Sequence, residues 1–254
     1  MIRLSVAIIT WNEEARLRAC LESVAWTDEI IVVDAESTDK TVLIAREFTD
    51  RIWVRPWPGF AAQKNFALDQ TTGEWVLSLD ADERVTPALR AEIERVLDAP
   101  DAADGYAIPR KNFFWGAWVR HGGLYPDWQL RLFRRGRGRF VEQSVHESVH
   151  VQGRTVRLAH AVLHESYRNL EEFVDRSNRY STLAAQQWLP GGRRVRQPDL
   201  VLRPLGRFVS MYALKGGFLD GWRGLSLAML YAYYVFLRTA KVLELQQARV
   251  RSAP

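Results

Sequence analysis

Two aspartates one residue apart, Asp80 and Asp82, stand where an apolar run stops: Glu74-Trp75-Val76-Leu77-Ser78-Leu79-Asp80-Ala81-Asp82-Glu83. The run reads as a buried strand. Along an extended chain residues i and i+2 point to the same side. The pair is therefore expected to reach one site at the carboxyl end of a central strand, the edge at which open α/β sheets hold their ligands. Two convergent carboxylates repel unless a cation lies between them, and oxygen ligands of this kind suit Mg2+ or Mn2+ bridging to a substrate's phosphates. The plainer alternative is a solvated strand-to-helix turn, and the two aspartates alone do not decide between these.

The elements that must position them are legible as alternating strand and helix patterns. Residues 3–10 form an apolar, β-rich run that ends at Trp11-Asn12-Glu13-Glu14, and Leu17, Cys20, Leu21 and Val24 then fall at helical spacing. Glu29 to Asp34 is a second buried strand ending on a carboxylate, followed by the polar turn Ala35 to Asp39 and a short helix to about Phe48. Arg51 to Arg55 reads as a third strand, Phe60 to Asp69 as a helix carrying Lys64 and Asn65, and Thr86-Pro87 as the N-cap and first residue of the helix after the central strand. Four such alternations with short connections predict a mostly parallel sheet covered on both faces. Three strand ends would then lie along one edge: Thr10 to Glu13, Asp34, and Asp80 with Asp82. The layout suits a nucleotide, without the Gly-rich phosphate loop of P-loop or dinucleotide-binding folds.

After Gly105 the texture changes. A strand leads into a loop crowded with Phe113, Phe114, Trp115, Trp118, Tyr125 and Trp128. Gln129 to Phe133 and Arg139 to Glu142 resemble a hairpin turned at Arg135 to Gly138, and Ala161 to His164 is one more short strand. Asn169 with Glu172 has capping-box character and opens a helix of roughly 18 residues, with Pro190-Gly191-Gly192 as its end. The last 50 residues read as two helices, and Leu225 to Leu237 is almost wholly apolar.

Composition narrows the classes. With 254 residues, 47% hydrophobic and 26% charged, the chain can bury a sizeable core. Its single cysteine, Cys20, excludes an internal disulfide framework and fits a reducing cytosol. The start enters a strand pattern directly, so no signal peptide is expected. The net charge of +5 is unevenly placed: residues 189–254 hold 11 Lys/Arg against 3 Asp/Glu, a net of +8, which leaves the other 188 residues at −3. No nucleic-acid-binding module accompanies the basic residues, so no nucleic-acid partner is expected. The excess points to an anionic surface facing the tail.

Val6-Ala7-Ile8-Ile9-Thr10-Trp11-Asn12-Glu13, Ile31-Val32-Val33-Asp34 followed by Ser37-Thr38-Asp39, and Leu77-Ser78-Leu79-Asp80-Ala81-Asp82 together resemble the family 2 glycosyltransferases of the GT-A fold. Leu124 to Asp127, Arg131 to Arg135, Val145-His146-Glu147, Leu163-His164 and Phe218 to Gly221 resemble, more narrowly, lipopolysaccharide-core β-glucosyltransferases. The likeness covers nearly the whole chain. It implies a Rossmann-like, mostly parallel sheet flanked by helices with a C-terminal helical appendage. Residues 1–105 would be the nucleotide-sugar-binding half, 106–168 the acceptor and catalytic half, and 169–254 a helical, membrane-facing region.

The activity implied is inverting transfer of a hexose, glucose in the nearest likeness, from a UDP-sugar to a lipopolysaccharide-core or related glycolipid acceptor. The enzyme would use a divalent metal, Mg or Mn, and work from the cytoplasm at the inner face of the plasma membrane. By the same likeness Thr10, Trp11, Asn12, Glu13 and Asp34 would hold base and ribose, with Ser37 in the following turn. Asp80 would lie near ribose and metal, Asp82 would ligate the metal, and His164 would be a further ligand. Glu147 stands where relatives carry the catalytic base, and Asp127 is its rival.

The chemistry agrees with this independently of the likeness. Displacing a nucleoside diphosphate from an anomeric carbon builds negative charge on the leaving phosphate, which a carboxylate-held metal stabilises. Inversion needs one base and no protein nucleophile. For several residues an alternative stays open. Lys64 contacts the nucleotide or is a solvated helix lysine, and His164 binds metal or packs at a strand end. Arg131, Arg134, Arg135, Arg137 and Arg139 clamp an anion or form an exposed basic hairpin. The apolar run before Arg238 lies in a membrane interface, in a core, or in a contact of a homo-oligomer; 13 residues are too few to span a bilayer. The rival functions are a metal-dependent sugar nucleotidyltransferase and a non-catalytic nucleotide-sugar-binding protein.

Overall fold

Unbroken apolar runs such as Glu29–Asp34, buried at every position, are stable only inside a sheet covered on both faces. That is the place they take in the computed structural model, which describes residues 2–141, 148–167, 169–188 and 195–251. The elements in chain order are β1 (Leu4–Thr10), α1 (Leu17–Val24), β2 (Glu29–Asp34), α2 (Thr41–Arg46), β3 (Ile52–Val54), α3 (Phe60–Asp69), β4 (Trp75–Asp80), β5 (Glu83–Val85), α4 (Pro87–Asp98), β6 (Gly105–Phe114), β7 (Ala117–Trp118), β8 (Asp127–Arg134), β9 (Gly138–Val141), β10 (Ser148–Val151), β11 (Thr155–Arg157), β12 (Val162–Tyr167), α5 (Leu170–Trp188), α6 (Asp199–Val209) and α7 (Gly221–Arg251).

The main sheet runs β3-β2-β1-β4-β8-β6-β12-β5. Its first four strands are parallel, as the alternation predicts. From β4 onwards it turns antiparallel, through β8 to β6 and again between β12 and β5. The sheet is therefore parallel among its first four strands and mixed beyond β4, where β11 also pairs parallel with β6. The hairpin expected from β8 into β9 does not form as a pair. Both edges of β8 are taken by β4 and β6, so β9 leaves the sheet and pairs antiparallel with β10.

Alternation along the strands separates two cores. Val6 and Ile8 face Leu17, Leu21, Leu89 and Ile93 of α1 and α4, while Ala7, Ile31 and Val33 face Ala61, Ala67 and Leu68 of α3. The stripe Leu17, Cys20, Leu21 and Val24 is the buried face of α1. Thr86 caps α4 by accepting from the Leu89 amide at 3.1 Å, with Pro87 in its first turn. Asn169 Oδ1 accepts from the Glu172 amide at 2.8 Å at the start of α5, as the capping pattern predicts.

The chain divides into two compact units. The first comprises Met1–Lys111 and Asp127–Glu165, the second Asn112–Pro126 and Ser166–Pro254. The aromatic loop through Tyr125 thus groups with the C-terminal helices, while Trp128 falls in the first unit. In the second unit Phe114, Val119 and Leu227 form one small core and Ala185, Val195 and Val242 another, and α5 and α6 both pack along α7. The 13-residue apolar run lies inside α7, which is 31 residues long. Among the described residues no helix is long and apolar enough to cross a membrane. The proposed helix end at Pro190 to Gly192 lies outside the described residues.

Candidate active site

Register alone lines up the three strand ends. Thr10 stands opposite Asp34 and Ile9 opposite Asp80, so β1, β2 and β4 finish together at one edge of the first unit. Asp34 is wholly buried. Its carboxylate accepts from Thr10 Oγ1 at 2.8 Å, from Ser37 Oγ at 2.6 Å and from the Ser37 amide at 2.8 Å. Ser37 Oγ in turn accepts from the Asn12 amide, and Asn12 Oδ1 from the Thr38 amide. Asn12 and Glu36 both hold positive φ, 54° and 57°, a conformation that non-glycine residues enter only when their surroundings impose it. Asp34 and Ser37 therefore contribute the shape of a rigid loop. Trp11, at the end of β1, leaves 56% of its surface exposed, an aromatic face open to a planar ligand.

Asp80 ends β4, and Ala81 and Asp82 form a turn before β5. Because the strand stops there, each aspartate meets its own cations. Lys64 Nζ on α3 lies 2.8 Å from Asp80 Oδ1, and Arg131 on β8 binds Asp80 Oδ2. Arg131 also reaches Glu83 Oε1 at 2.8 Å, Arg110 lies 3.6 Å from the same oxygen, and Arg110 holds Asp127 at 2.7 Å. The result is a ladder of alternating charge: Lys64, Asp80, Arg131, Glu83, Arg110, Asp127. Glu83 is fully buried, and its Oε2 accepts from the Asp80 amide at 3.0 Å. Burial works against ionising Asp80, yet Arg131 and Lys64 hold its carboxyl well below the usual range. Gln129 Nε2 donates to Asp127 Oδ1 at 2.7 Å.

Arg131 reaches this position through a backbone irregularity. Tyr106 on β6 faces Leu132 and Ala107 faces Leu130, so Arg131 is the extra residue of a β-bulge. The phase shift is visible in the packing: Leu130 and Phe133 share one core, Leu132 belongs to the other. A regular strand would have put residues 130 and 132 on the same face.

Asp82 meets a different pair of cationic partners. Antiparallel pairing sets His164 beside Glu83, and His164 Nε2 comes to 3.4 Å from Asp82 Oδ2, with Arg16 at 3.9 Å. Arg16 is itself gripped by Glu13 at 2.7 Å and donates to the Glu165 carbonyl. Burial raises the Asp82 pKa, but His164 and Arg16 outweigh it and the net shift is downward. Two ligands on one small divalent ion at about 2.1 Å each sit about 3 Å apart when adjacent, so the spacing of Asp82 and His164 fits a shared ion. Asp80 offers such an ion less, since both its oxygens are engaged by cations. Among the described residues no group of three or more His, Cys, Asp or Glu side chains is spaced to hold a metal alone.

The structure thus gathers Thr10, Trp11, Asn12, Glu13, Asp34, Ser37, Lys64, Asp80, Asp82, Asp127 and His164 in one unit. His146 and Glu147, the expected base, lie outside the described residues. Arg134 pairs instead with Glu74 and Arg139 with Asp69; Arg134 and Glu74 lie at the amino end of β4, away from this edge. Glu83, Arg110 and Arg16 were missed by the sequence reading. The only sequence signal was that Glu83 directly follows the aspartate pair. A depression of about 510 Å³ lined by Asp28, Glu29, Arg51 and Thr72 lies at the amino ends of the strands, and Glu29 there is consumed by Ser5, Arg51 and Thr72.

Known proteins resemble this chain in sequence and in fold. Residues 5–155 match the family model described as glycosyl transferase family 2. The chain is 35% identical over 255 residues, 98% of its length and 94% of the relative's, to the lipopolysaccharide core biosynthesis glycosyltransferase LpsC of Rhizobium meliloti (strain 1021). It is 31% identical to an uncharacterized glycosyltransferase of Rickettsia typhi, covering 96% of this chain and 88% of that one. Among solved structures it is similar to the mannosyltransferase PcManGT from Pyrobaculum calidifontis in complex with GDP-Man and Mn2+, with a TM-score of 0.55, 16% identity and 95% and 87% of the two chains covered. A second similar structure is S. aureus TarS 1-349 in complex with UDP-GlcNAc, with a TM-score of 0.50, 15% identity and 97% and 92% covered. These likenesses agree with a GT-A fold.

Proposed function

The chain belongs to glycosyl transferase family 2, and from that premise we propose that it transfers a hexose, glucose in this reading, from a UDP-sugar to a lipopolysaccharide-core or related glycolipid acceptor, with inversion. The observation that carries the reading is the strand-end edge: an exposed Trp11 on a rigid loop at one end, and Asp80 and Asp82 with their cations at the other. The core-biosynthesis relative from Rhizobium meliloti supports the acceptor class.

In this reading Trp11 stacks on the nucleobase and Asn12, held at positive φ, lets the backbone approach the ribose. Asp82 and His164 would hold a divalent metal, Mg or Mn, with Asp80 nearby. When bound, the metal neutralises charge that develops on the departing diphosphate. Lys64 and Arg131 keep Asp80 ionised and in place, and Lys64 is near enough to lend its charge to the phosphates. Glu147 takes the acceptor hydroxyl's proton. Asp127, the other candidate, is tied to Arg110 and Gln129, which suits an orienting role better than proton transfer.

Incubation with UDP-glucose, Mn2+ and a lipopolysaccharide-core acceptor tests the reaction class. Release of UDP with a glycosylated acceptor supports attack of an acceptor hydroxyl on the anomeric carbon. Inactivity on UDP-glucose with pyrophosphate release from UTP and glucose 1-phosphate would instead indicate a sugar nucleotidyltransferase, and donor binding without any product would indicate a binding protein.

A further inference from the structure

An amphipathic helix in a water-soluble fold turns its apolar side inward. In the second unit α6 does the reverse. Val201, Leu202, Leu205 and Val209 fall on one side of the helix, yet no residue of α6 is buried, and Leu202 and Leu205 keep 62% and 54% of their surface exposed. The charged line of α6, at i, i+4 and i+8, is turned onto neighbouring helices instead. The Arg203 guanidinium lies 5.4 Å from the Trp188 ring centre of α5, and that of Arg207 lies 5.3 Å from the Tyr231 ring of α7. On α7 the exposed residues Trp222, Leu225, Met229, Tyr233 and Phe236 follow steps of three and four, which form a single stripe. Between the helices Leu214 is 80% exposed.

We propose that α6 and the outward stripe of α7 dock in the interface of an anionic lipid bilayer. The inference rests on the glycolipid acceptor proposed above and adds where the chain meets the lipid. Charge selects a bilayer over a second copy of the chain. Residues 189–254 carry a net +8, so two such faces repel, whereas anionic headgroups are complementary. Two of the three acids in this stretch are engaged inside the unit: Asp199 pairs with Arg203 at 3.2 Å, and Asp220 accepts from the amides of Arg120 and His121. Among the described residues Arg207 and Arg238 meet no carboxylate within ion-pair distance, and Arg238 sits 4.7 Å from the Trp188 ring centre already shared with Arg203. Apolar residues outward with guanidinium groups behind them match a helix lying in the headgroup plane. Trp222 and Tyr233 are the side chains that favour that depth.

Flotation of the full chain with vesicles tests this, using phosphatidylcholine alone and phosphatidylcholine containing a minor fraction of phosphatidylglycerol. The protein is expected to float with the anionic vesicles, to lose binding as salt rises, and to stay behind with neutral ones. The double variant Leu202→Glu and Leu205→Glu, both at exposed positions, is expected to fold and bind donor normally. It should lose at least about tenfold in vesicle partitioning, since two apolar side chains no longer insert. Equal binding to both vesicle types, unchanged partitioning of the variant, or a wild-type dimer that ignores vesicles would each overturn the proposal. UDP-glucose binding measured in parallel separates the two readings. If donor binding fails while flotation holds, the proposed activity fails and the docking face stands.

Discussion

Replacing Arg131 by Met removes the rung of the ladder on which the candidate site most depends. The side chain is nearly wholly buried between two carboxylates, in contact with Asp80 and 2.8 Å from Glu83. At an effective dielectric of about 20 each such contact is worth about 4 kcal/mol before the cost of desolvation. Removing one partner from a buried ionic cluster costs about 3–5 kcal/mol, because the remaining charge stays buried. Asp80 keeps Lys64 at 2.8 Å, while Glu83 keeps the Asp80 amide at 3.0 Å and Arg110 at 3.6 Å. These survivors place the expected loss at the lower end, about 3 kcal/mol, or about 6–12 °C in Tm for a chain of this size. Urea unfolding followed by tryptophan fluorescence measures it. Arg131→Lys should recover only part, since an ammonium cannot span both carboxylates as a guanidinium does. A loss of less than about 0.5 kcal/mol, the range of a neutral surface change, would refute the view that the ladder holds the edge together.

Two further outcomes follow from the same geometry. Asp80 and Asp82 both have folded-state pKa values below the usual carboxylate value, near about 3.9 in an unfolded chain. Their contribution to stability is therefore complete above about pH 4 and lost as pH falls through the folded values; unfolding free energies measured from pH 6 downward should decline there, less steeply in Asp82→Asn. Glu147→Gln should bind UDP-glucose normally yet lose at least about 10²-fold in kcat, with Asp127→Asn losing less. The opposite order in a steady-state assay would make Asp127 the base.

The parallel half of the fold was legible because its strands are apolar on both faces and its helices carry single apolar stripes. Thr10, Asp34 and Asp80 were placed on one edge from strand ends alone, and register puts them there. What each does was less legible. Asp34 reads as a ligand-facing carboxylate, but three hydrogen bonds turn it into the frame of the Asn12 loop. The expected convergence of Asp80 and Asp82 assumed that the strand continued to residue 82. It stops at Asp80, and the two carboxylates take separate cations from α3, β8, β12 and the start of α1. Arg131 depends on a bulge that only long-range pairing of β8 with β6 creates, and local sequence carries no trace of it. The same competition for the edges of β8 sends β9 out of the sheet. In α6 the amphipathic pattern is plain, but which side faces outward is decided by the aromatic rings of α5 and α7.

Hexose transfer by wild type and by Asp82→Asn tests the central claim most directly. With UDP-glucose, Mn2+ and a lipopolysaccharide-core acceptor, mass spectrometry should find one hexose added by the wild-type protein. The variant, folded to the same extent by circular dichroism, should add none above background. Undiminished transfer by Asp82→Asn would contradict the account.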